Sequence, residues 1–498
     1  MLQRTLITLS FACFANVSCK HTGPIPADGD ANYPPEVARI VINKCATSGC
    51  HNAASYENAG GLRLDSWENM FAGGTNGAAV VPYSTDFSPL LYYINNDSSA
   101  GVVAEPRMPR DMPPLSKQEY NVIRDWIAAG APSKKGEIPF ASDADTRQKI
   151  YLTMQACDQV AVIDAKSKLV MRYIPVGTSP TIEAPHCLRV SPDGKYAFVS
   201  FSTGSPFQKI ETSTDKVVEN IPLSNGSLTP GSWNVFLISP DGTKVMISDW
   251  QGSGSTVHLD LLTMKQRLYN NVFKWPHGVA SNPTFDTFYV VSQSGNALYK
   301  FDLDGFLPPT LISIDGTPPI TGNDTGFVSR NPHEIVMSPD YSVYFITCEK
   351  SNEVRVMSRK NDSCVAAIPV GAKPQEIAIS KKNSYVFVTC MEDVPTKVAN
   401  ATFRGSVYVI SCKPPYNVVK VINGNFSSPH GITVDDINNT FYFASINNAP
   451  GAPIPHHVSK CAGANGFYKI YDMATFQPAD KRRFEVLPFP YSADSRFK

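Results

Sequence analysis

Apolar runs rich in Val, Ile, Tyr and Phe alternate with short polar turns from about residue 147 to the end of the chain. The runs have the length of strands, and turn sequences such as Ser-Pro-Asp-Gly separate them. Six repeats start in the same way, at intervals of 42 to 56 residues. They begin at Pro185, Trp233, Pro276, Pro332, Pro374 and Pro429. Each unit contains four predicted strands, and four strands in a repeat of this length are typical of a β-propeller blade.

A further unit at residues 150–177 matches the second and third strands of this repeat. Its first strand comes either from residues 139–142, just before it, or from residues 490–496 near the C-terminus. The second arrangement would close the ring by joining the first blade to the last. The pattern therefore predicts an all-β propeller over residues 147–498 with seven blades, and six or eight blades are the alternatives.

The region before the repeats has helical periodicity instead. Residues 35–43 favour one helix. A second helix is predicted from a capping box, in which Ser116 is followed three residues later by Glu119. The apolar stripe of this helix comprises Tyr120, Ile123, Trp126 and Ile127. Residues 34–132 are therefore expected to form a small all-α domain, which a polar linker at residues 133–146 joins to the propeller.

Residues 1–19 have the pattern of an export signal. Arg4 supplies the positive end, and residues 6–17 form an apolar run that is too short for a membrane span of ~20 residues. A small residue precedes Cys19, as in bacterial lipoprotein signals, which predicts that Cys19 is lipidated and is the only membrane anchor. Plain secretion with cleavage nearby is the alternative. Residues 20–33 are expected to be a flexible tether, and the mature protein is expected in the periplasm or on the cell surface.

The charge balance and the cysteine content restrict the possible binding partners and the possible covalent cross-links. The chain has 498 residues with 44 Lys+Arg and 44 Asp+Glu, so its formal net charge is zero and nothing indicates nucleic-acid binding. Export to an oxidising compartment permits disulfides. Seven of the eleven cysteines lie in the propeller region, so at least one of these seven is unpaired, and their connectivity is open. They are Cys157, Cys187, Cys348, Cys364, Cys390, Cys412 and Cys461.

The candidate chemistry begins at Cys45-Ala-Thr-Ser-Gly-Cys50-His51. Two cysteines followed at once by a histidine are the attachment signature of a c-type haem, because the thiols add across the haem vinyl groups and the imidazole becomes an axial ligand. The usual spacing has about two residues between the cysteines, and this chain has four. The alternatives are a short disulfide loop with an incidental histidine, and a non-haem metal site that lacks a fourth ligand at the usual spacing.

This region resembles the c-type cytochrome domains of bacterial lipoproteins and related secreted proteins. Besides the cysteine motif, the resemblance rests on Gly60-Gly-Leu-Arg-Leu-Asp65, Ala79-Val-Val-Pro82, Arg107-Met108-Pro109, Pro114-Leu115-Ser116 and Trp126-Ile-Ala-Ala-Gly130-Ala. It implies one haem c attached through Cys45 and Cys50, with His51 as one axial ligand. The same resemblance makes Met108 the second axial ligand, and Met112 is the alternative. Ligation by His and Met raises the reduction potential relative to two histidines.

Four propeller repeats carry a histidine in the same register, directly after the first proline. These are His186, His277, His333 and His430. The first strands of blades line the central channel, so the four imidazoles are predicted to converge there on a metal, a second cofactor or an anion. The alternative is that each imidazole bonds to neighbouring backbone and joins blades. His456 and His457 lie in a Pro-rich insertion and are expected to be solvated or to make a loop contact.

The repeat array resembles the YVTN-repeat and nitrous-oxide-reductase-like propellers in its Pro-Asp-Gly turns and in the sequence Asp158-Gln-Val-Ala-Val-Ile-Asp164. Propellers serve binding, scaffolding and catalysis alike, so this resemblance implies a fold and no single function. Three functions are open. The chain is an electron-transfer protein whose propeller docks a redox partner or ligand, a periplasmic oxidoreductase with a second site at the channel, or a surface binding module.

Overall fold

A computed structural model describes residues 31–227, 231–250, 254–305, 308–321, 330–392, 405–449 and 451–497. The predicted export signal at residues 1–19, its lipidation site Cys19 and most of the predicted tether lie outside these ranges.

Seven four-stranded antiparallel sheets form the blades of a propeller. Blade 1 contains β1 (Lys149–Met154), β2 (Gln159–Asp164) and β3 (Val170–Pro175); blade 2 contains β4 (Pro185–Val190), β5 (Tyr196–Phe201), β6 (Phe207–Glu211) and β7 (Lys216–Ile221); blade 3 contains β8 (Trp233–Ile238), β9 (Lys244–Asp249), β10 (Thr256–Asp260) and β11 (Gln266–Tyr269); blade 4 contains β12 (Pro276–Ser281), β13 (Thr287–Ser292), β14 (Ala297–Asp302) and β15 (Thr310–Ser313). Blade 5 contains β16 (Pro332–Met337), β17 (Val343–Cys348), β18 (Glu353–Ser358) and β19 (Cys364–Pro369); blade 6 contains β20 (Ala372–Ser380), β21 (Tyr385–Glu392), β22 (Ser406–Ser411) and β23 (Val418–Ile422); blade 7 contains β24 (Pro429–Asp435), β25 (Thr440–Ser445), β26 (Asn465–Asp472) and β27 (Glu485–Pro488). The predicted seven-bladed propeller is confirmed.

The C-terminal strand β28 (Pro490–Ser495) completes blade 1 and closes the ring. It pairs with β1 in antiparallel register, with Leu152 opposite Ala493. Of the two predicted sources of this strand, the C-terminal one is therefore right. Arg496, directly after β28, donates a hydrogen bond of 2.8 Å to the carbonyl of Gly194 and so ties the closure to blade 2.

The repeated Ser-Pro-Asp-Gly sequence builds the turn between the first two strands of a blade. In blade 2, Ser191 Oγ donates to Asp193 Oδ1 at 2.6 Å, and the backbone N–H of Lys195 donates to the same oxygen at 3.0 Å. Gly194 has a φ of +71°, which favours glycine. The turn fixes the pairing of the first two strands of the blade. It therefore also fixes the residue at which the first strand ends.

The first strands of blades 2 to 7 share a β-bulge near their start. In each blade the pairing with the second strand shifts register there. In blade 5, for example, the shift lies between Pro332 and Ile335. A bulge breaks the alternation of side chains between the two faces of a strand and redirects individual side chains. Neighbouring residues at these bulges can therefore face the same side of the sheet, which strict alternation does not allow.

The segment before the propeller contains four α-helices among its described residues: α1 (Pro35–Lys44), α2 (Trp67–Met70), α3 (Pro89–Ile94) and α4 (Lys117–Ala128). Two short 3-10 helices lie at Tyr56–Asn58 and Ser98–Ala100. The predicted capping box is present at the start of α4, where Ser116 Oγ accepts the backbone N–H of Glu119 at 3.3 Å and Glu119 Oε2 accepts the backbone N–H of Ser116 at 2.8 Å.

The prediction of a separate all-α cytochrome c domain is wrong. The four helices of the described segment have 10, 4, 6 and 12 residues, and turns and loops make up most of the rest. The Gly-rich and Pro-rich sequences between α1 and α4 disfavour longer helices. Val81 and Phe87 in these loops also share a hydrophobic cluster with Leu152 of blade 1 and Phe484 beside blade 7. The segment is therefore a loop-rich layer that packs on the propeller, and its predicted boundaries stay predictions.

Candidate functional site

Helices α1 and α4 hold the start of the cysteine motif in place. Their apolar faces belong to one hydrophobic cluster, which includes Val37, Ile40, Val41, Ile123 and Ile127. Lys44 at the end of α1 forms an ion pair of 2.7 Å with Glu119 of α4. The backbone N–H of Cys45 then donates to the carbonyl of Val41 at 2.9 Å and caps α1. The first cysteine is thus fixed at a helix end.

The four residues between the cysteines form a compact turn. The backbone N–H of Cys50 donates to Thr47 O at 3.0 Å, and the N–H of His51 donates to Cys45 O at 3.1 Å. Gly49 supplies the positive φ, +79°, that the turn requires. Because the chain folds back on itself here, the wider spacing still brings both thiols and the imidazole to the same cavity.

That cavity has a volume of about 350 Å³ and also receives Met108. The backbone N–H of Met108 donates to Tyr93 O at 2.8 Å, which holds the Pro-rich loop against α3. Met112, the alternative ligand, is 40% exposed and lies outside the cavity lining. The structure therefore brings Cys45, Cys50, His51 and Met108 together and leaves Met112 at the surface.

The ring of His51 is oriented by backbone. Its Nδ1 lies 3.0 Å from the carbonyl oxygen of Leu62 and donates to it, so the lone pair of the neutral ring is on Nε2. Burial lowers the pKa of His51, against the opposing effect of backbone hydrogen bonds to Leu62 and Ala59. The neutral imidazole with Nε2 available is the form that binds a metal ion.

The two thiols of the motif are free, so the disulfide alternative is not formed in this structure. Burial raises the pKa of the Cys45 thiol to about 12, with a further contribution from Cys50. The Cys45 side chain therefore stays protonated in this apolar cavity. Cys45 packs against the same hydrophobic cluster that α1 and α4 form.

The propeller forms one wall of this cavity, which the sequence did not predict. His456 and His457 lie in the insertion between β25 and β26, and both line the cavity. Glu485 Oε2 accepts the backbone N–H of His457 at 2.9 Å and also lies 2.9 Å from its Nδ1. Tyr93 Oη, in the loop-rich layer, lies 2.7 Å from Nδ1 of His456 in the propeller. The unusual length of this insertion was the signal for its role, but its partner lies over 300 positions away in sequence.

The four histidines predicted to converge do meet in the central channel. Ring centroids are 4.1 Å apart for His277 and His333, 5.8 Å for His186 and His277, and 6.1 Å for His333 and His430. Tyr491 of β28 joins them, with its ring 3.6 Å from that of His430. Hydrogen bonds to backbone, the predicted alternative, are also present: Nδ1 of His277 donates to His333 O at 2.9 Å, and Nδ1 of His430 donates to Tyr491 O at 3.1 Å. His333 hydrogen-bonds to the backbone of Gln375.

Charged residues that the sequence pattern did not indicate surround these imidazoles. Glu334 and Glu376 directly follow the channel positions of blades 5 and 6, and both are buried. Burial and the neighbouring charge of Glu334 raise the pKa of Glu376 to about 8. Burial also lowers the pKa of His333 and that of His430, the latter to about 3. His277 differs, because the negative charges of Glu334 and Glu376 outweigh burial and raise its pKa.

The chain combines a seven-bladed propeller with a loop-rich layer whose cavity is lined by two cysteines, a histidine and a methionine. Residues 48–111 match the family model described as Planctomycete cytochrome C, a range that includes Cys50, His51 and Met108 and begins after Cys45. The match supports a haem-related function for this part of the chain.

Among curated proteins, the chain is similar to Antigen Lp49 of Leptospira interrogans serogroup Icterohaemorrhagiae serovar copenhageni (strain Fiocruz L1-130). The two are 32% identical over 135 residues, which cover 24% of this chain and 26% of Antigen Lp49. The chain thus spans about a quarter of the length of the curated relative it matches.

Two solved structures are also similar. Hydrazine synthase of Kuenenia stuttgartiensis is 17% identical, with a TM-score of 0.42 over 54% of this chain and 75% of that chain. A functionally unknown protein from Desulfotomaculum acetoxidans DSM 771 is 13% identical, with a TM-score of 0.48 over 68% of this chain and 99% of that chain. Among the described residues, every helix is too short or too polar to cross a membrane.

Proposed function

We propose that this chain is a c-type haem protein that transfers electrons. In this proposal one haem c is attached through Cys45 and Cys50, in their four-residue spacing, and is held by His51 and Met108. One observation carries it: two free thiols, a neutral imidazole and a thioether from separate parts of the sequence line a single cavity. The donor set fits haem c in its chemistry.

The surroundings of the cavity suit the same cofactor. Its walls are largely apolar and include Leu62, Leu64, Ala79, Leu90, Ile94 and Pro109. When bound, the haem supplies one-electron exchange at its iron. The chain's own residues would orient and shield it. The carbonyl of Leu62 holds the His51 ring. The contact between Tyr93 and His456 joins the loop-rich layer to the propeller at the edge of the cavity.

We propose that the propeller docks a redox partner beside this cavity. The insertion that carries His456 and His457 also bears two exposed apolar side chains, Ile454 at 84% and Val458 at 57% exposure. Apolar side chains around a cofactor opening favour a short-lived protein contact there. The finer likeness to YVTN-repeat and nitrous-oxide-reductase-like propellers, and export with a lipid at Cys19 to the periplasm or cell surface, belong to the same proposal, because c-type haem is attached outside the cytoplasm.

The test is the spectrum of the whole protein, expressed with its signal in a bacterium that matures c-type cytochromes. We expect one haem per chain that stays attached in a denaturing gel, with the pyridine haemochrome of a two-thioether haem. A protein without covalent haem would contradict the proposal and would favour a surface binding module instead. Purification of the same protein from cytoplasm, where attachment does not occur, is the matched control.

Replacement of Met108 by leucine should remove the Met–iron charge-transfer band of the oxidised protein and lower the reduction potential, because the thioether ligand that raises it is lost. Met112→Leu is the matched control, since Met112 lies outside the cavity and is 40% exposed. Its band and potential should equal those of the unmodified protein. If Met112→Leu removes the band and Met108→Leu does not, the assignment of the ligand is reversed.

A further inference from the structure

Three buried side chains of the central channel lie close enough to bind one ion. One nitrogen each from His277 and His333 and a carboxylate oxygen of Glu334 are all within 4.8 Å of one another. His277 lies on β12, and the other two lie on β16 of the next blade. In a regular strand His333 and Glu334 would point to opposite faces, but the bulge between Pro332 and Ile335 lets both face His277.

Several polar atoms of this cluster lack a hydrogen-bond partner among the described residues. They are Nδ1 of His333 and Oε1 of Glu334, and Nε2 of the neighbouring His430 also lacks a partner. Each such atom is destabilising when buried, because it has lost its hydrogen bonds to water without gaining a partner in the protein. Glu334 Oε1 lies 3.2 Å from His277 Nδ1, but that nitrogen donates to the carbonyl of His333 instead. A bound cation would give a partner both to the Nδ1 lone pair of His333 and to the carboxylate oxygen of Glu334.

The charges around the cluster also favour a cation. Glu334 and Glu376 are both buried, and each carboxylate acts on the other. The neighbouring cation is Arg189, which is directed to the carbonyl of Leu188 at 2.9 Å. Among the described residues Glu334 forms no ion pair with a lysine or an arginine, and its charged neighbour within 4 Å is His277. A divalent ion beside Glu334 would neutralise this buried carboxylate.

We propose that His277, His333 and Glu334 bind one divalent first-row transition-metal ion of the Zn²⁺ type in the propeller channel. Two imidazoles and a carboxylate are a donor set that such ions prefer, whereas Mg²⁺ and Ca²⁺ prefer oxygen ligands alone. Three protein ligands leave a coordination position open, as in catalytic rather than structural zinc sites. The site is independent of the proposed haem, and a zinc ion bound there would act as a Lewis acid.

The experiment uses the full-length protein, stripped with a chelator, desalted and titrated with Zn²⁺. Zinc is the probe because its content, measured by plasma mass spectrometry, is not confused with haem iron. We expect one zinc per chain and a higher unfolding temperature with zinc than without it. Zinc content that stays near zero, with an unchanged unfolding temperature, would overturn the proposal, whatever the haem content of the same sample.

Variants locate the site. Glu334→Gln keeps the shape of the side chain and should weaken zinc binding by at least about tenfold. His186→Asn removes a half-buried channel imidazole outside the proposed ligand set and should keep one zinc per chain. Equal affinity in Glu334→Gln and the unmodified protein, or loss of zinc in His186→Asn, would refute this ligand set. If Glu334→Gln does not fold, the zinc-dependent stabilisation of the unmodified protein decides.

Discussion

Replacement of Cys45 and Cys50 by serine is expected to remove all covalently attached haem. The two thiols line the cavity beside His51 and Met108, and they are the groups that can form thioethers there. Serine hydroxyls do not add to vinyl groups under the same conditions, so haem held by His51 and Met108 alone should dissociate in denaturant. The measurement is haem staining after denaturing electrophoresis, together with the pyridine haemochrome spectrum of the purified protein.

Single variants make this test sharper. Cys45→Ser and Cys50→Ser should each leave one thioether, which shifts the haemochrome α-band toward that of a haem with one unreacted vinyl group. The control is Cys364→Ser with Cys412→Ser, which removes the same number of free thiols from the propeller and should keep the two-thioether spectrum. Unchanged haem attachment in the Cys45→Ser, Cys50→Ser protein would show that these cysteines do not carry the cofactor.

Loss of the disulfide between Cys157 and Cys461 is expected to destabilise the propeller strongly. The bond joins the turn after β1 in blade 1 to the insertion of blade 7, and its cysteines are 304 positions apart in sequence. A cross-link over so long a stretch restricts the unfolded chain. Cys157→Ser with Cys461→Ser should therefore lower the free energy of unfolding by about 2–5 kcal/mol, measured by urea unfolding without reductant.

The same variant also affects the cavity. Cys461 holds the insertion that carries His456 and His457, so its loss should make this wall easier to open. Reduction of the unmodified protein should reproduce the lower stability. Cys364→Ser, which replaces a half-buried free cysteine, is the control and should lower the stability much less. A disulfide variant with unchanged stability, both with and without reductant, would contradict the expectation.

The propeller could be predicted from sequence because its signal is local and repeated. Each blade has its own apolar strands and its own turn, such as Ser191 to Gly194, so the pattern recurs along the chain. Closure of the ring was different. Residues 139–142 and 490–496 both suited the missing strand, and only the packing of β28 on β1 selected the second. Strand pairing over such a distance leaves no local trace in the sequence.

In the loop-rich layer, sequence patterns between near neighbours predicted only part of the structure. The capping box at Ser116 and Glu119 predicted the start of α4 correctly, because its partners are three residues apart. The loops between α1 and α4 have no comparable signal. They take their structure from contacts such as those of Phe87 with the blades, so the expected all-α domain was wrong.

The sequence by itself determined the chemistry that is available: the Cys45–His51 motif, a downstream methionine and four histidines in one register. Residue types and their spacing along the chain are enough to indicate this chemistry. Only the tertiary structure decided that Met108 rather than Met112 lines the cavity, that His456 and His457 form its far wall, and that Glu334 stands beside His277. The physical reason is that each of these contacts depends on a fold-back, a bulge or a long-range pairing, which place side chains independently of their separation along the chain.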